Sequence, residues 1–251
     1  MFRLLRALIN PAGGLRYHLR AMLYSPVLWR GFRKNIGAWL ERWNPPEHRL
    51  IIIGQSGGYI LNKTFLSRFQ HIIAVDPDLL AALIFAARFR RTCQHITIVT
   101  EDFFITPEYS VAPLQDFLAK YGAAAVLLSN FLGQIPFLIT DDERRRQLIL
   151  FWHTHLVHLL AGRNWASFHD RYSSNQRPTQ WRTLQTECRC SAETLIRYFY
   201  GKNAGGTFID HETEGYFPNI LFYEYSVWQL TPRNYHLIEA VYGEKSGQRT
   251  Q

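Results

Sequence analysis

The stretch Leu50 to Tyr59, LIIIGQSGGY, constrains this chain more than any other. Four consecutive apolar residues, three of them β-branched, read as a strand buried on both faces. Gly54, Gly57 and Gly58 follow at once, where the chain can turn tightly and leave bare backbone open to a ligand. Beyond them Leu61, Phe65, Leu66 and Phe69 recur at helical spacing. A buried strand, a glycine turn and a helix form the ligand-binding corner of a doubly wound sheet.

Spacing separates three chemistries that use such a corner. The dinucleotide fingerprint needs glycines at 56 and 59, where Ser56 and Tyr59 stand. A P-loop needs Gly-Lys-Ser/Thr, and Lys63-Thr64 comes late and lacks the glycine. GQSGG does match G-x-S-x-G, the nucleophile elbow of serine hydrolases, with Ser56 as nucleophile and Asp210-His211 as a distant acid and histidine. Against that reading, residues 1–49 look helical and hold no His-Gly-Gly loop for an oxyanion. Residues 72–76, IIAVD, then read as a second buried strand ending in a carboxylate, 22 residues after Gly54. A ribose-binding acid sits at about that distance in dinucleotide-type folds. Asp76-Pro77 also reads as the cap and first residue of the next helix.

Taken together, IIIGQSGGY, IIAVDPD, TIVTEDFF and AAAVLLSNFLGQIP resemble, in order, the first four motifs of the class I S-adenosylmethionine-dependent methyltransferases. The resemblance spans roughly residues 48–230. It implies that the glycine loop wraps the methionine moiety, that the acid ending strand two holds the ribose, and that an acid after strand three meets the adenine. Carried over, these are Gly54, Ser56 and Gly58, then Asp76, then Asp102, with Phe103 a candidate to stack on the ring. Two positions depart from the family pattern: Ile52 stands where an acid is usual, and Ser56 replaces the second glycine.

The net charge of +8 is concentrated at the start: residues 1–49 hold nine Lys or Arg against Glu41 and Glu47, a net +7. These residues read as helices, interrupted at Pro11-Ala-Gly-Gly14, and are expected to form a basic helical extension over 1–45. Leu28, Phe32, Ile36, Trp39 and Trp43 line one face of the last helix, and Asn44-Pro-Pro46 stops it. The segment is expected to pack as a lid, with a weak attraction to RNA or an anionic surface as the sharper alternative. No run of 18 apolar residues predicts a membrane span. The start carries Arg6 in its apolar part and no small-residue cleavage site, so no secretory signal is expected. Cys93, Cys188 and Cys190 make no disulfide framework, which suits a cytoplasmic location.

From residue 46 onward strands and helices alternate, which predicts an α/β, doubly wound, mostly parallel seven-stranded sheet closed by a C-terminal antiparallel hairpin. Strand four, Ala123–Leu128, delivers Asn130 to the ligand-binding rim, as a residue that would position a nucleophile. Strand five, Trp165–Phe168, is followed by His169, Asp170, Arg171 and Tyr172. His169 is the candidate general base, and Asp170, Arg171 and Tyr172 are the candidate substrate contacts. Thr140-x-x-Glu143 reads as a capping box for a long helix carrying His153, His155 and His158, whose spacing cannot converge on one metal; no metal site is expected. Residues 173–190 read as a loop covering the site, Gly206–His211 and Ile220–Leu230 as the closing hairpin, and Thr231-Pro232 as the cap of a last helix to Tyr242.

The expected function is methyl transfer from S-adenosylmethionine to an oxygen or nitrogen nucleophile of a small molecule or RNA. A serine hydrolase and a non-catalytic binding module that keeps the fold are the alternatives. Ser56 separates the first two. In a cofactor loop Ser56→Ala should keep S-adenosylhomocysteine binding in calorimetry, and a fluorophosphonate probe should leave Ser56 unlabelled; covalent labelling there reverses the ranking.

Overall fold

A computed structural model describes residues 14–106, 108–202 and 204–245. Two helices come first, α1 (Gly14–Tyr24) and α2 (Arg30–Arg42); the helix expected within residues 1–10 lies outside the described residues. Next come β1 (Arg49–Ile53), α3 (Lys63–Leu66), β2 (His71–Val75), α4 (Leu79–Phe89), β3 (His95–Val99), α5 (Ala112–Lys120) and β4 (Ala125–Ser129). The chain continues through α6 (Asp142–Leu160), β5 (Trp165–Ser174), β6 (Leu184–Thr186), α7 (Ala192–Tyr200), β7 (Phe208–Asp210), β8 (Tyr223–Thr231) and β9 (Asn234–Gly243).

The strands form one nine-stranded sheet in the order β3-β2-β1-β4-β5-β9-β8-β6, with β7 on the far end of β5. β1 pairs in parallel with β2 and β4, β2 with β3, and β4 with β5; β9 lies antiparallel between β5 and β8. The apolar run in β1 is explained by burial on both sides. Ile51 and Ile53 face one core with α5, α6 and α7, whereas Leu50 and Ile52 face a second core with α2, α3 and α4. The order reverses between β1 and β4, which opens a crevice beyond their carboxyl ends.

The sheet has nine strands where seven were expected, and the differences lie after β4. β5 is ten buried residues long, so His169–Tyr172 lie within the strand. The charged tetrad hid this, because polar residues read as a strand end unless their buried partners are known. Residues 208–210 and 223–231 do not pair with each other: β7 pairs β5, whereas β8 pairs β6 and β9. The supposed last helix is β9. Pro232-Arg233 makes a two-residue turn, with Thr231 opposite Asn234, in place of a helix cap. Helix starts also shift: Asp78 caps α4 through Leu80 N–H, and Asp141 caps α6 through Arg144 N–H, so neither Asp76 nor Thr140 is a cap.

The N-terminal helices belong to the core. Phe32, Ile36, Trp39 and Trp43 of the expected face are buried, and Leu28 is half-buried beside them. Phe32 stacks on Trp228 of β8 at 5.1 Å, Trp29 meets the same indole edge-on at 4.9 Å, and Trp29 donates to Leu230 O at 3.0 Å. Arg42 pairs with Glu224, also on β8. Removing one of these rings leaves a cavity that the rigid sheet cannot close. Phe32→Ala should therefore cost about 3–5 kcal/mol in denaturant unfolding, and a cost below about 1 kcal/mol would show that α2 is only loosely held.

Candidate active site

The crevice beyond β1 and β4 holds a cavity of about 690 Å³. Its floor is the turn after β1, where Gly54, at φ 76°, lets the chain reverse beside Ser129 and Phe131. Asp76, at the end of β2, is buried and accepts from Ser56 N–H at 2.9 Å and from Asp78 N–H at 3.0 Å. Burial pushes its carboxyl up to about 6 in spite of those two bonds. α1 closes one side of the cavity. His18 reaches Asp78 at 3.2 Å and the Tyr59 hydroxyl at 3.2 Å, and Gly14 N–H donates to Asp78 at 2.9 Å. Burial would raise Asp78, but His18 and the Gly14 and Leu80 amides outweigh it and hold that carboxyl below its ordinary value.

The deep wall is polar. Asp170, wholly buried, accepts from His236 Nδ1 at 2.9 Å on one oxygen and from Gln134 Nε2 at 2.6 Å on the other, with Asn130 Nδ2 at 3.5 Å. Burial alone would raise its pKa, but His236, followed by His211 and His169, outweighs burial and keeps Asp170 an ionised acceptor. Gly133 lets the chain touch the Asp170 backbone, since a Cβ there would lie 2.7 Å from Asp170 O. His211 donates through Nδ1 to Gly133 O at 2.7 Å and accepts at Nε2 from Ser173 Oγ at 3.1 Å. Burial lowers the His211 pKa, so the ring stays neutral in this tautomer.

His236 is different. Its Nδ1 proton is committed to Asp170, and Nε2 has no partner among the described residues of the cavity it lines. Three buried atoms in cavity-lining residues lack partners among the described residues, the donors Gln55 Nε2 and Trp228 Nε1 and the acceptor Asn130 Oδ1. Buried polar groups are rarely left unpaired, so these atoms are candidates to meet solvent or ligand atoms of the complementary kind.

Of the residues singled out from the sequence, Gly54, Ser56, Asp76, Asn130 and Asp170 line this cavity together. The others do not. Gly58 lies behind the turn, where a Cβ would strike Phe89 at 2.5 Å and Phe85 at 2.9 Å. Asp102 points to solvent and caps Phe104 and Ile105, and Phe103 stacks on Phe117 at 4.6 Å inside the core. His169 faces the opposite side of the sheet, bonded to Ser167 Oγ at 2.9 Å with Glu239 at 3.5 Å. A bulge between Asp170 and Tyr172 carries Arg171 to Asp210 and Glu214 and turns Tyr172 into the other core. Ser173, not residues 175–190, reaches the cavity from the segment expected to cover it. His211 and Asp210 are turned to Ser173 and Arg171, which leaves Ser56 no catalytic base from that pair.

Gln55, Gln134 and His236 were missed, and His211 was named only for the hydrolase alternative. His236 was hidden because its segment read as a helix; in β9 it stands opposite Ser173, beside Asp170. Asp170, His211 and His236 are also the one group among the described residues whose atoms could surround a metal, within 4.8 Å of one another, where the sequence predicted none. With both His211 nitrogens already hydrogen-bonded, the trio is built to hold protons in place.

No protein-family model and no curated protein matches the sequence. Among solved structures, the chain is similar to the N-methyltransferase NodS of Bradyrhizobium japonicum WM9, at 13% identity and a TM-score of 0.43, over 86% of this chain and 98% of that one. It is also similar to DhpI in its SAH complex, at 16% identity and 0.41, over 89% and 92%. A third is CalS10, an amino pentose methyltransferase from Micromonospora echinaspora, at 15% and 0.38, over 85% and 91%.

Asp76 is one group whose titration is tied to folding. Its folded pKa of about 6 lies above the ordinary 3.8, so the folded state holds the proton more tightly than the unfolded one. The stability it contributes is complete in acid and lost as the pH rises through about 6. Relative to Asp76→Ala, the wild type should lose about 2–3 kcal/mol of unfolding free energy between about pH 4 and pH 7. A difference that stays flat over that range would mean that Asp76 is ionised throughout.

Proposed function

We propose that this chain is an S-adenosylmethionine-dependent methyltransferase acting on a hydroxyl or amino group of a small molecule. One observation carries the reading: a single cavity joins the glycine turn and Asp76 at one end to the buried Asp170–His236 pair at the other. The residues present fit the cofactor. Asp76 would accept from ribose hydroxyls, the unpaired Gln55 Nε2 would donate to a cofactor oxygen, and the turn around Gly54 would lie against the methionine moiety. When bound, the sulfonium supplies an activated methyl group on a neutral leaving group.

The chain's own task is then orientation and removal of one proton. Asn130 Oδ1 would accept one N–H of an amine nucleophile and so aim its lone pair. His236 Nε2 would take the amine's other N–H proton, or the single proton of a hydroxyl, and so leave the nucleophile's lone pair free to attack. Asp170 holds the imidazole by Nδ1 and stabilises the cation that results. Three carboxylates, Asp76, Asp78 and Asp170, line the cavity against Arg20, an arrangement that suits a neutral or cationic acceptor better than a phosphate-rich one.

The test is calorimetry with S-adenosylhomocysteine, followed by turnover on a panel of amines and alcohols. At about 100 times its dissociation constant the ligand should stabilise the fold by about 2.7 kcal/mol, and Asp76→Ala should remove most of that. His236→Ala should leave this binding intact and slow turnover by about 10²–10⁴-fold. No binding by the wild type would remove the basis of the proposal. Binding without turnover on any acceptor would favour a binding module.

A further inference from the structure

One surface feature has no role in methyl transfer. α1 buries Gly14, His18 and Ala21 on its inner side but leaves Leu15, Leu19, Met22 and Leu23 exposed, at 44%, 53%, 57% and 66%. At 100° per residue these four occupy one continuous stripe, with Arg16 and Arg20 beside it. Val27, in the turn after the helix, is 73% exposed as well. α4, which α1 contacts, adds Leu79 and Leu83, also exposed. A monomer in water rarely leaves so many large aliphatic side chains together on one side.

Charge says what covers them. Between Gly14 and Leu40 there is no Asp or Glu, while Arg16, Arg20, Arg30, Arg33 and Lys34 are present. Arg30, Arg33 and Lys34 line a groove on the next helix. A second copy of the chain would meet its own positive charge here, and an RNA would leave the leucines in water. A surface with an apolar interior beneath anionic head groups satisfies both features.

We infer that α1 and the start of α4 form a docking face for an anionic lipid bilayer. The helix lies in the plane of the surface, its leucines among the acyl chains and Arg16 at the phosphates. No described helix is long and apolar enough to cross a membrane. α1 also lines the cavity through Tyr17 and His18, which puts the cavity beside the lipid interface. The inference does not depend on the chemistry proposed for the cavity.

The test is flotation of the full chain with vesicles of pure phosphatidylcholine or of phosphatidylcholine with about one third phosphatidylglycerol. The chain should float with the anionic vesicles alone, and the bound fraction should fall as salt rises. Leu19→Ser/Leu23→Ser should lower the partition coefficient by about tenfold or more with an unchanged melting temperature. Arg16→Gln/Arg30→Gln should weaken binding and flatten its salt dependence. No flotation at low salt, equal binding to neutral vesicles, or undiminished binding by the leucine variant would each overturn the inference. So would a melting temperature lowered by the leucine variant, which would mean that the chain covers this face itself. A dimer in sedimentation velocity that the same variant dissolves would give the face to a second copy.

Discussion

The near end of the cavity depends on β1 being held between β2 and β4. Because β1 is buried on both faces and paired on both edges, its end cannot shift without breaking ladder bonds and both cores at once. That rigidity sets Gly54 beside Val75 O, from which Asp76 follows, and beside Ser129, from which Asn130 follows. Asn130 adopts φ 50°, a left-handed conformation that asparagine tolerates better than most residues, and its amide N–H bonds Phe168 O at 2.7 Å. The crevice therefore comes from topology, and the side chains only decorate it.

A buried carboxylate in the middle of a strand is costly unless its partners are fixed in advance. Asp170 has them on three elements: His236 from β9, Gln134 from the turn after β4, and Asn130 from the end of β4. The antiparallel insertion of β9 between β5 and β8 is what delivers His236. The same strand carries Glu239 to the opposite face, where His169 and Arg189 surround it. β5 and β9 thus hold one ionised carboxylate on each side of the sheet, and only the Asp170 side opens to the cavity.

α1 sits between two environments. Its inner residues complete the cavity wall through the His18–Asp78 contact, whose carboxylate also caps α4. Its outer residues present leucine and arginine to the surroundings. One helix therefore carries both the exposed leucine stripe and part of the wall beside Asp76.

Much of the architecture was already legible in the residues. Doubly buried strands read as unbroken apolar runs, so β1, β2 and β4 announce themselves, and glycines at a strand end announce the corner. Gly54, Ser56, Asp76 and Asn130 could be found because each stands at the end of such a strand, where topology alone delivers it to the rim. The far wall could not be found in this way. Asp170 and His236 are 66 residues apart and meet only because β9 threads between β5 and β8. His169 was the reasonable choice from local order, but alternation along a strand sends neighbours to opposite faces. Which neighbour faces the cavity depends on register, and the bulge at Arg171 resets that register for Tyr172. A charged tetrad reads alike as a strand end or a buried strand interior; only long-range partners distinguish them, because the free energy of burying a charge is decided by what lies across from it.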